Sequence, residues 1–273
     1  MLDCDIPGNE QPLTGAARSR RTDLDPNAND GAYRILPAGD TAIVIEFGEC
    51  IDRNISSQVV ALAQRLNHNP IEGLIEYVPT FRSLILHYDP LSLPTSSLKS
   101  RIIDLMRDLQ FRMISGRMWH LPVCYDAQVA PDLDEVASRT GLSTAQVVEA
   151  HSAVTYHVYM LGFLPGMAYL GDLPAVLVLP RLATPRRRVP AGSLAIATTM
   201  TCIIPLETAS GWHLIGRSPM SFLQWRSYPE ALLAAGDTIN FLPVSLNEYE
   251  ELSARAAVGA LSIKPVQEMT EES

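Results

Sequence analysis

Tyr156-His-Val-Tyr-Met160-Leu-Gly162 is an aromatic, strand-like run, and Phe163-Leu-Pro165-Gly-Met-Ala-Tyr-Leu170-Gly171 follows it directly. Three glycines and a proline interrupt the aromatic anchors, so the backbone must turn sharply where glycine supplies positive φ or close approach. Similar short β-type runs recur at Ser193–Ala197, Cys202–Pro205, Trp212–Ile215 and Thr238–Leu242, separated by Gly- and Pro-rich turns. Many short strands punctuated in this way predict a small barrel or sandwich. The apolar run Met118–Cys124 reads as the strand that opens this region.

Between that strand and Thr155, Asp132 with Glu135 and Ser143 with Gln146 have the spacing of capping boxes, which predicts short helices over 132–140 and 144–153. Upstream, Thr41–Phe47 reads as a strand bounded by Gly39-Asp40 and Gly48. Ile55, Val59, Val60, Leu62, Ala63 and Leu66 then recur at helical spacing. Strand-like runs at 73–79 and 82–88 follow. A second helix, capped by Ser97, carries Leu98, Ile102, Ile103, Leu105, Met106 and Leu109 on one face. Strand, helix, strand, strand, helix, strand is the split-βαβ, ferredoxin-like order. The predicted organisation is therefore a disordered extension over 1–31, a ferredoxin-like α+β domain over 32–117 and a mainly-β barrel domain over 118–246. A polar helix and acidic tail over 247–273 complete it.

Size and charge narrow the function. A chain of 273 residues with 47% hydrophobic and 19% charged residues can bury a sizeable core. The net charge of −9 and pI near 5.1 argue against nucleic acid, which needs clustered Lys and Arg, and against a polybasic membrane surface. No apolar run reaches the ~18–20 residues of a membrane-spanning helix, and the first 31 residues lack the apolar core of a secretory signal. Cys4, Cys50, Cys124 and Cys202 form no close pair and read as reduced thiols of a cytoplasmic protein. His68, His87, His120 and His213 show no metal-ligand spacing, so no metal is expected.

Several residues could carry chemistry. His151, at the end of a predicted helix, either sits against the negative end of the helix dipole or serves as a general acid or base. His157, within a strand and without an acidic neighbour in sequence, reads as structural. The stretch Arg181-Leu-Ala-Thr-Pro185-Arg-Arg-Arg188-Val-Pro-Ala-Gly192-Ser193 crowds four arginines into an otherwise acidic chain. These form either a solvated face or, stiffened by Pro185 and Pro190, a fixed guanidinium for gripping a carboxylate or phosphate. Gly211-Trp212-His-Leu-Ile-Gly216-Arg217 is either a pocket edge or a packed hairpin. No nucleophile elbow, P-loop or dinucleotide fingerprint is present.

These same stretches resemble a known family. His151-Ser152, Tyr156, Val158–Phe163, Pro165-Gly166, Tyr169-Leu-Gly171, Arg188–Ser193 and Gly211-Trp212 with Leu214–Arg217 are similar to the family of 5-oxoprolinase B subunits, and Gly39-Asp40, Glu46–Gly48 and His87–Pro90 fit it too. That family is also called allophanate hydrolase subunit 1 or the carboxyltransferase C/D type, and includes the Kip-type sporulation-kinase inhibitor. The resemblance covers roughly 33–245 and implies a cyclophilin-like barrel after the ferredoxin-like domain. It implies a homologous cyclophilin-like partner of the C type and a third, A-type partner. Together these open the lactam of 5-oxoproline to glutamate with ATP, used by the complex at a site not on this chain alone.

On that resemblance Arg188 is expected to grip the small anionic substrate and His151 to manage a proton. Phe163, Gly166, Tyr169, Gly192, Thr201, Trp212 and Arg217 are expected to line the substrate site. The alternatives are a non-catalytic inhibitor of a sensor histidine kinase and a component of allophanate hydrolase or urea carboxylase-type chemistry. Departures bear on the choice. The family's Gly-Gly-Gln-Thr-Gly is Thr198-Thr-Met-Thr-Cys202, its Ser-Pro-Gly-Gly-Trp is Thr208-Ala-Ser-Gly-Trp212, and its Gly-Phe-Pro-Tyr is Gly166-Met-Ala-Tyr169.

Overall fold

The computed structural model describes residues 33–107, 116–225 and 229–266. The extension expected to be disordered, Cys4 and the end of the acidic tail lie outside them.

The N-terminal unit comprises β1 (Arg34–Pro37), β2 (Ala42–Glu46), α1 (Arg53–His68), β3 (Leu74–Pro79), β4 (Ser83–Tyr88) and α2 (Thr95–Arg107). Its strands form an antiparallel sheet in the order β1-β2-β4-β3. Asp52 caps α1 by accepting the Asn54 and Ile55 N–H groups. The helical spacing read from the sequence becomes the buried stripe Val59, Leu62, Ala63 and Leu66, packed on Ile43, Ile45, Leu84 and Leu86. Each fully buried Val, Leu or Ile stabilises by about 1.5–3 kcal/mol, so this face holds the helix to the sheet. Met118–Cys124 pairs within the barrel, and β1, too short to stand out in the sequence, pairs with β2 at the sheet edge.

The second unit runs through β5 (Met118–Cys124), α3 (Leu133–Thr140), α4 (Thr144–Ser152), β6 (Thr155–Leu161), β7 (Ala168–Gly171), β8 (Arg186–Val189) and β9 (Ser193–Ala197). It continues through β10 (Met200–Ile204), β11 (Thr208–Ser210), β12 (His213–Arg217), β13 (Leu223–Trp225), β14 (Pro229–Ala231), β15 (Thr238–Val244) and α5 (Leu246–Ala257). Seven strands close a barrel in the order β10-β7-β6-β15-β5-β12-β9. The β5–β15 pair is parallel, with Thr238 opposite Met118 and Val244 opposite Cys124. The Ser143–Gln146 capping box forms as predicted. Asp132 does not close the other, because its carboxylate is taken by Arg186 and the Leu214 N–H.

Both faces of the barrel wall are covered on one side. Leu194, Ile196 and Ile203 point into the inner core, while Ala195, Ala197, Met200, Cys202 and Ile204 join an outer cluster with Tyr159, Met167 and Trp212. A strand buried on both faces loses its alternation, which is why β9 and β10 read as continuous apolar runs. Phe81, from the β3–β4 turn, reaches into this outer cluster between Tyr159 and Tyr169. Arg53 clamps the units by donating to Asp172 Oδ2 and the Thr155 carbonyl, and Ser56 Oγ meets His157 Nε2 at 3.0 Å. The buried thiols are Cys124 and Cys202. Cys50 lies half-buried in the segment after β2 rather than in a strand.

Candidate functional site

His151 ends α4 inside the barrel and is fully buried. Its ring stacks on Phe241 and lies against Tyr156. Nδ1 is 3.0 Å from the Tyr125 hydroxyl and Nε2 is 3.2 Å from Thr201 Oγ1. Thr201 donates its only proton to the Ala195 carbonyl, so it must accept from Nε2–H, and Nδ1 then accepts from Tyr125. The chain of donors is complete with a neutral imidazole. Burial correspondingly lowers the His151 pKa to about 3 and raises that of Tyr125 well above its ordinary value.

A cleft of about 230 Å³ opens on the outside of the barrel, where β6 turns into β7 and the arginine-rich loop folds back. Its walls are Phe163, Tyr169, Trp212, Pro185 and Arg181, with no acidic side chain among the lining residues. Tyr169 meets Trp212 edge-on at 5.9 Å, and the Arg181 guanidinium lies 5.7 Å from the Trp212 ring centroid. Arg181 makes no ion pair among the described residues. Its partner is the face of an indole, an arrangement that leaves its N–H edges open to an anion. Burial raises the Tyr169 pKa, opposed in part by the Arg181 charge.

The turn that presents Phe163 is strained. Phe163 has φ +66, and the Leu164 N–H donates to the Gly162 carbonyl at 2.8 Å, which makes a γ-turn of the rare positive-φ kind. Phe163 is 73% exposed at the mouth of the cleft. Gly166, at φ +75, completes the turn where a Cβ would press on the Phe222 carbonyl oxygen.

Of the residues expected at a site, Phe163, Tyr169 and Trp212 come together in this cleft, with Gly166 shaping its rim. His151 and Thr201 meet each other inside the barrel instead. Arg188 is exposed on β8 and bonded through two nitrogens to Glu207. Gly192 and Arg217 lie at the neighbouring turn, where Arg217 Nε donates to the Ala191 carbonyl. Sequence reading missed Arg181 as the cleft's cation. It stood in the quoted arginine stretch, but nothing local distinguishes a paired arginine from an unpaired one. Among the described residues no cluster of His, Cys, Asp or Glu is arranged to hold a metal, and no helix is long and apolar enough to cross a membrane.

A closed barrel joined to a small α/β unit, with an aromatic cleft beside the arginine loop, is the setting for the comparison with known proteins. Residues 33–233 match the family described as carboxyltransferase domain, subdomain C and D, and the chain belongs to that family. Within it, the chain is 36% identical over 231 residues to the 5-oxoprolinase B subunit of Bacillus subtilis (strain 168), covering 80% of this chain and 95% of that protein. It is 37% identical over 206 residues to the 5-oxoprolinase B subunit of Escherichia coli O157:H7, covering 75% and 93%.

Among solved structures it is similar to TTHA0988, with 37% identity, a TM-score of 0.67 and coverage of 74% of this chain. It spans 40% of the length of that protein. The Kluyveromyces lactis urea carboxylase shares the fold, with a TM-score of 0.70 over 88% of this chain and 24% of that one at 19% identity.

Proposed function

We propose that this chain is the B-type component of a multi-subunit, ATP-dependent 5-oxoprolinase that opens the lactam of 5-oxoproline to glutamate. The observation that carries the reading is Arg181, an arginine free of carboxylates over Trp212 in a cleft of aromatic walls. Such a cleft suits a small, flat carboxylate: the guanidinium takes the carboxylate in a two-point contact, and the rings cover the lactam. The relatives named as 5-oxoprolinase B subunits support the choice of substrate.

In this reading the carboxylate contact passes from Arg188, which Glu207 occupies, to Arg181. His151 stays neutral and orients Thr201 and Tyr125 inside the barrel. Neither the aromatic cleft nor the cleft between the two units is lined by a lysine or by more than one arginine. That is a poor match for a triphosphate, so ATP binding is assigned to another member of the complex. The partners are a homologous cyclophilin-like protein of the C type and a third protein of the A type, in the cytoplasm. The N-terminal sheet and helices are read as a ferredoxin-like variant in which β1 fills the edge position, ending near residue 117.

The test is ATP-dependent glutamate release from 5-oxoproline by the three co-expressed subunits, with this chain omitted in the control. Release that needs this chain and falls with Arg181→Ala supports the reading. No release from a well-assembled complex removes it and leaves a regulatory role or another substrate.

A further inference from the structure

A second cleft, of about 720 Å³, lies between the two units and shares no lining residue with the aromatic cleft. That volume is within the ~300–1,000 Å³ of small-molecule sites, which favour boundaries between units. One wall is the segment after β2 and the β3–β4 turn with Phe81 and Arg82; the other is barrel, with Tyr159, Asp172 and Thr199.

Tyr159 is the informative residue. It is only 3% exposed, yet its hydroxyl has no hydrogen-bond partner among the described residues. The residue lines the cleft, so the free valence of its hydroxyl is presented to that space rather than sealed in the core. Its position is built in. The ring lies against Gly171, where any Cβ would overlap the ring carbons, and His157 packs edge-on at 4.7 Å.

Two charged groups line the same cleft with valences to spare. Asp172 receives both Arg53 donors on Oδ2, which leaves Oδ1 open. Arg82 uses Nη1 for Glu46 and the Gly48 carbonyl, which leaves Nε and Nη2 open. The rim also holds backbone in the left-handed region at Asp172, φ +70, and at Thr198, φ +52, beside Thr199. Such strain gathers at ligand clamps.

We infer that the inter-unit cleft is a second ligand site, for a small zwitterion such as an amino acid or short peptide. Arg82 receives its carboxylate, and Asp172 Oδ1 with the Tyr159 hydroxyl receives its ammonium group. The inference is independent of the 5-oxoproline reading, because Arg181 and the aromatic cleft take no part in it.

The test titrates the full chain with L-glutamate, L-leucine and the dipeptide Gly-Leu, followed by calorimetry, beside the N-acetyl forms of the same probes. At least one free-amine probe should bind saturably, and at least about tenfold more weakly to Tyr159→Phe and to Asp172→Asn. Tyr159→Phe keeps the ring and removes an oxygen with no partner, so its unfolding midpoint should stay level or rise, which separates lost binding from lost folding. No saturable binding by any probe up to about 10 mM, a range corresponding to roughly −3 kcal/mol, overturns the inference. So does binding that is indifferent to both substitutions, or binding that survives N-acetylation.

Discussion

Nε2 of His151 lies 3.2 Å from Oγ1 of Thr201, and that hydroxyl passes its own proton to the Ala195 carbonyl at 3.1 Å. A protonated imidazole has two donors, and Tyr125 would have to turn its hydroxyl proton away from Nδ1 into an apolar core. The folded protein therefore resists this proton down to about pH 3, whereas the unfolded chain takes it up near its ordinary pKa of 6.5. Stability is full above pH 6.5 and falls as the pH drops towards 3, by up to about 1.4 kcal/mol per pH unit. His157, whose pKa burial and then Arg53 also lower, adds in the same direction. Urea unfolding of wild type and His151→Gln between about pH 7 and pH 5 should show a shallower slope for the variant. Equal slopes would remove His151 from the acid response.

The β9–β10 hairpin connects Ala197 to Met200 through Thr198 and Thr199, with positive φ at Thr198 only. That is the sign pattern of a II′ turn, whose first central residue is normally glycine. A β-branched residue there is strained by about 1–2 kcal/mol. Thr198→Gly relieves the strain, against the greater entropy of glycine in the unfolded chain. A net gain of about 0.5–1 kcal/mol is expected, read as a higher denaturant midpoint at unchanged m-value. A lower midpoint would mean that the Thr198 hydroxyl bond to the Ala197 carbonyl outweighs the strain.

Gly192 makes the opposite case. Its φ is +80, and an added Cβ would run into the Ser218 carbonyl oxygen, while its own N–H and C=O hold Ile204 and Ser218. Gly192→Ala should destabilise by at least about 2 kcal/mol, through left-handed strain and overpacking together. Thermal unfolding reads this directly; a loss within experimental error would show that the turn re-forms freely.

Arg181 and Arg188 differ in what already holds them. Arg188→Ala breaks a solvent-screened surface ion pair with Glu207 and should leave turnover of the assembled complex close to wild type. Arg181→Ala removes the cleft's cation and should raise KM for 5-oxoproline by about 10–100-fold, the scale of a lost charge-assisted contact of about 1.5–3 kcal/mol. The reverse ranking would return the carboxylate to Arg188.

Local pattern was enough for much of the architecture. Helical spacing placed α1, the Ser143–Gln146 box placed the start of α4, and the β-rich run before Gly162 placed β6. Elements of three or four residues were missed. β1, β7 and β8 draw their hydrogen bonds from distant partners, and so short a window carries no period of its own.

At the site, the sequence by itself determined residue types: aromatics at 163, 169 and 212, glycines where φ must be positive, and arginines massed between 181 and 188. Tertiary structure alone decided their company. Whether an arginine is free depends on where Asp132 and Glu207 lie, since they claim Arg186 and Arg188 and leave Arg181 over Trp212. Whether a histidine can exchange a proton depends on depth, and barrel closure sealed His151 among Tyr125, Tyr156 and Phe241. Phe81 and Tyr159, 78 positions apart in the sequence numbering, become neighbours only when the two units dock. Pairing, burial and docking are sums over contacts distant in the chain, and no local window of residues contains them.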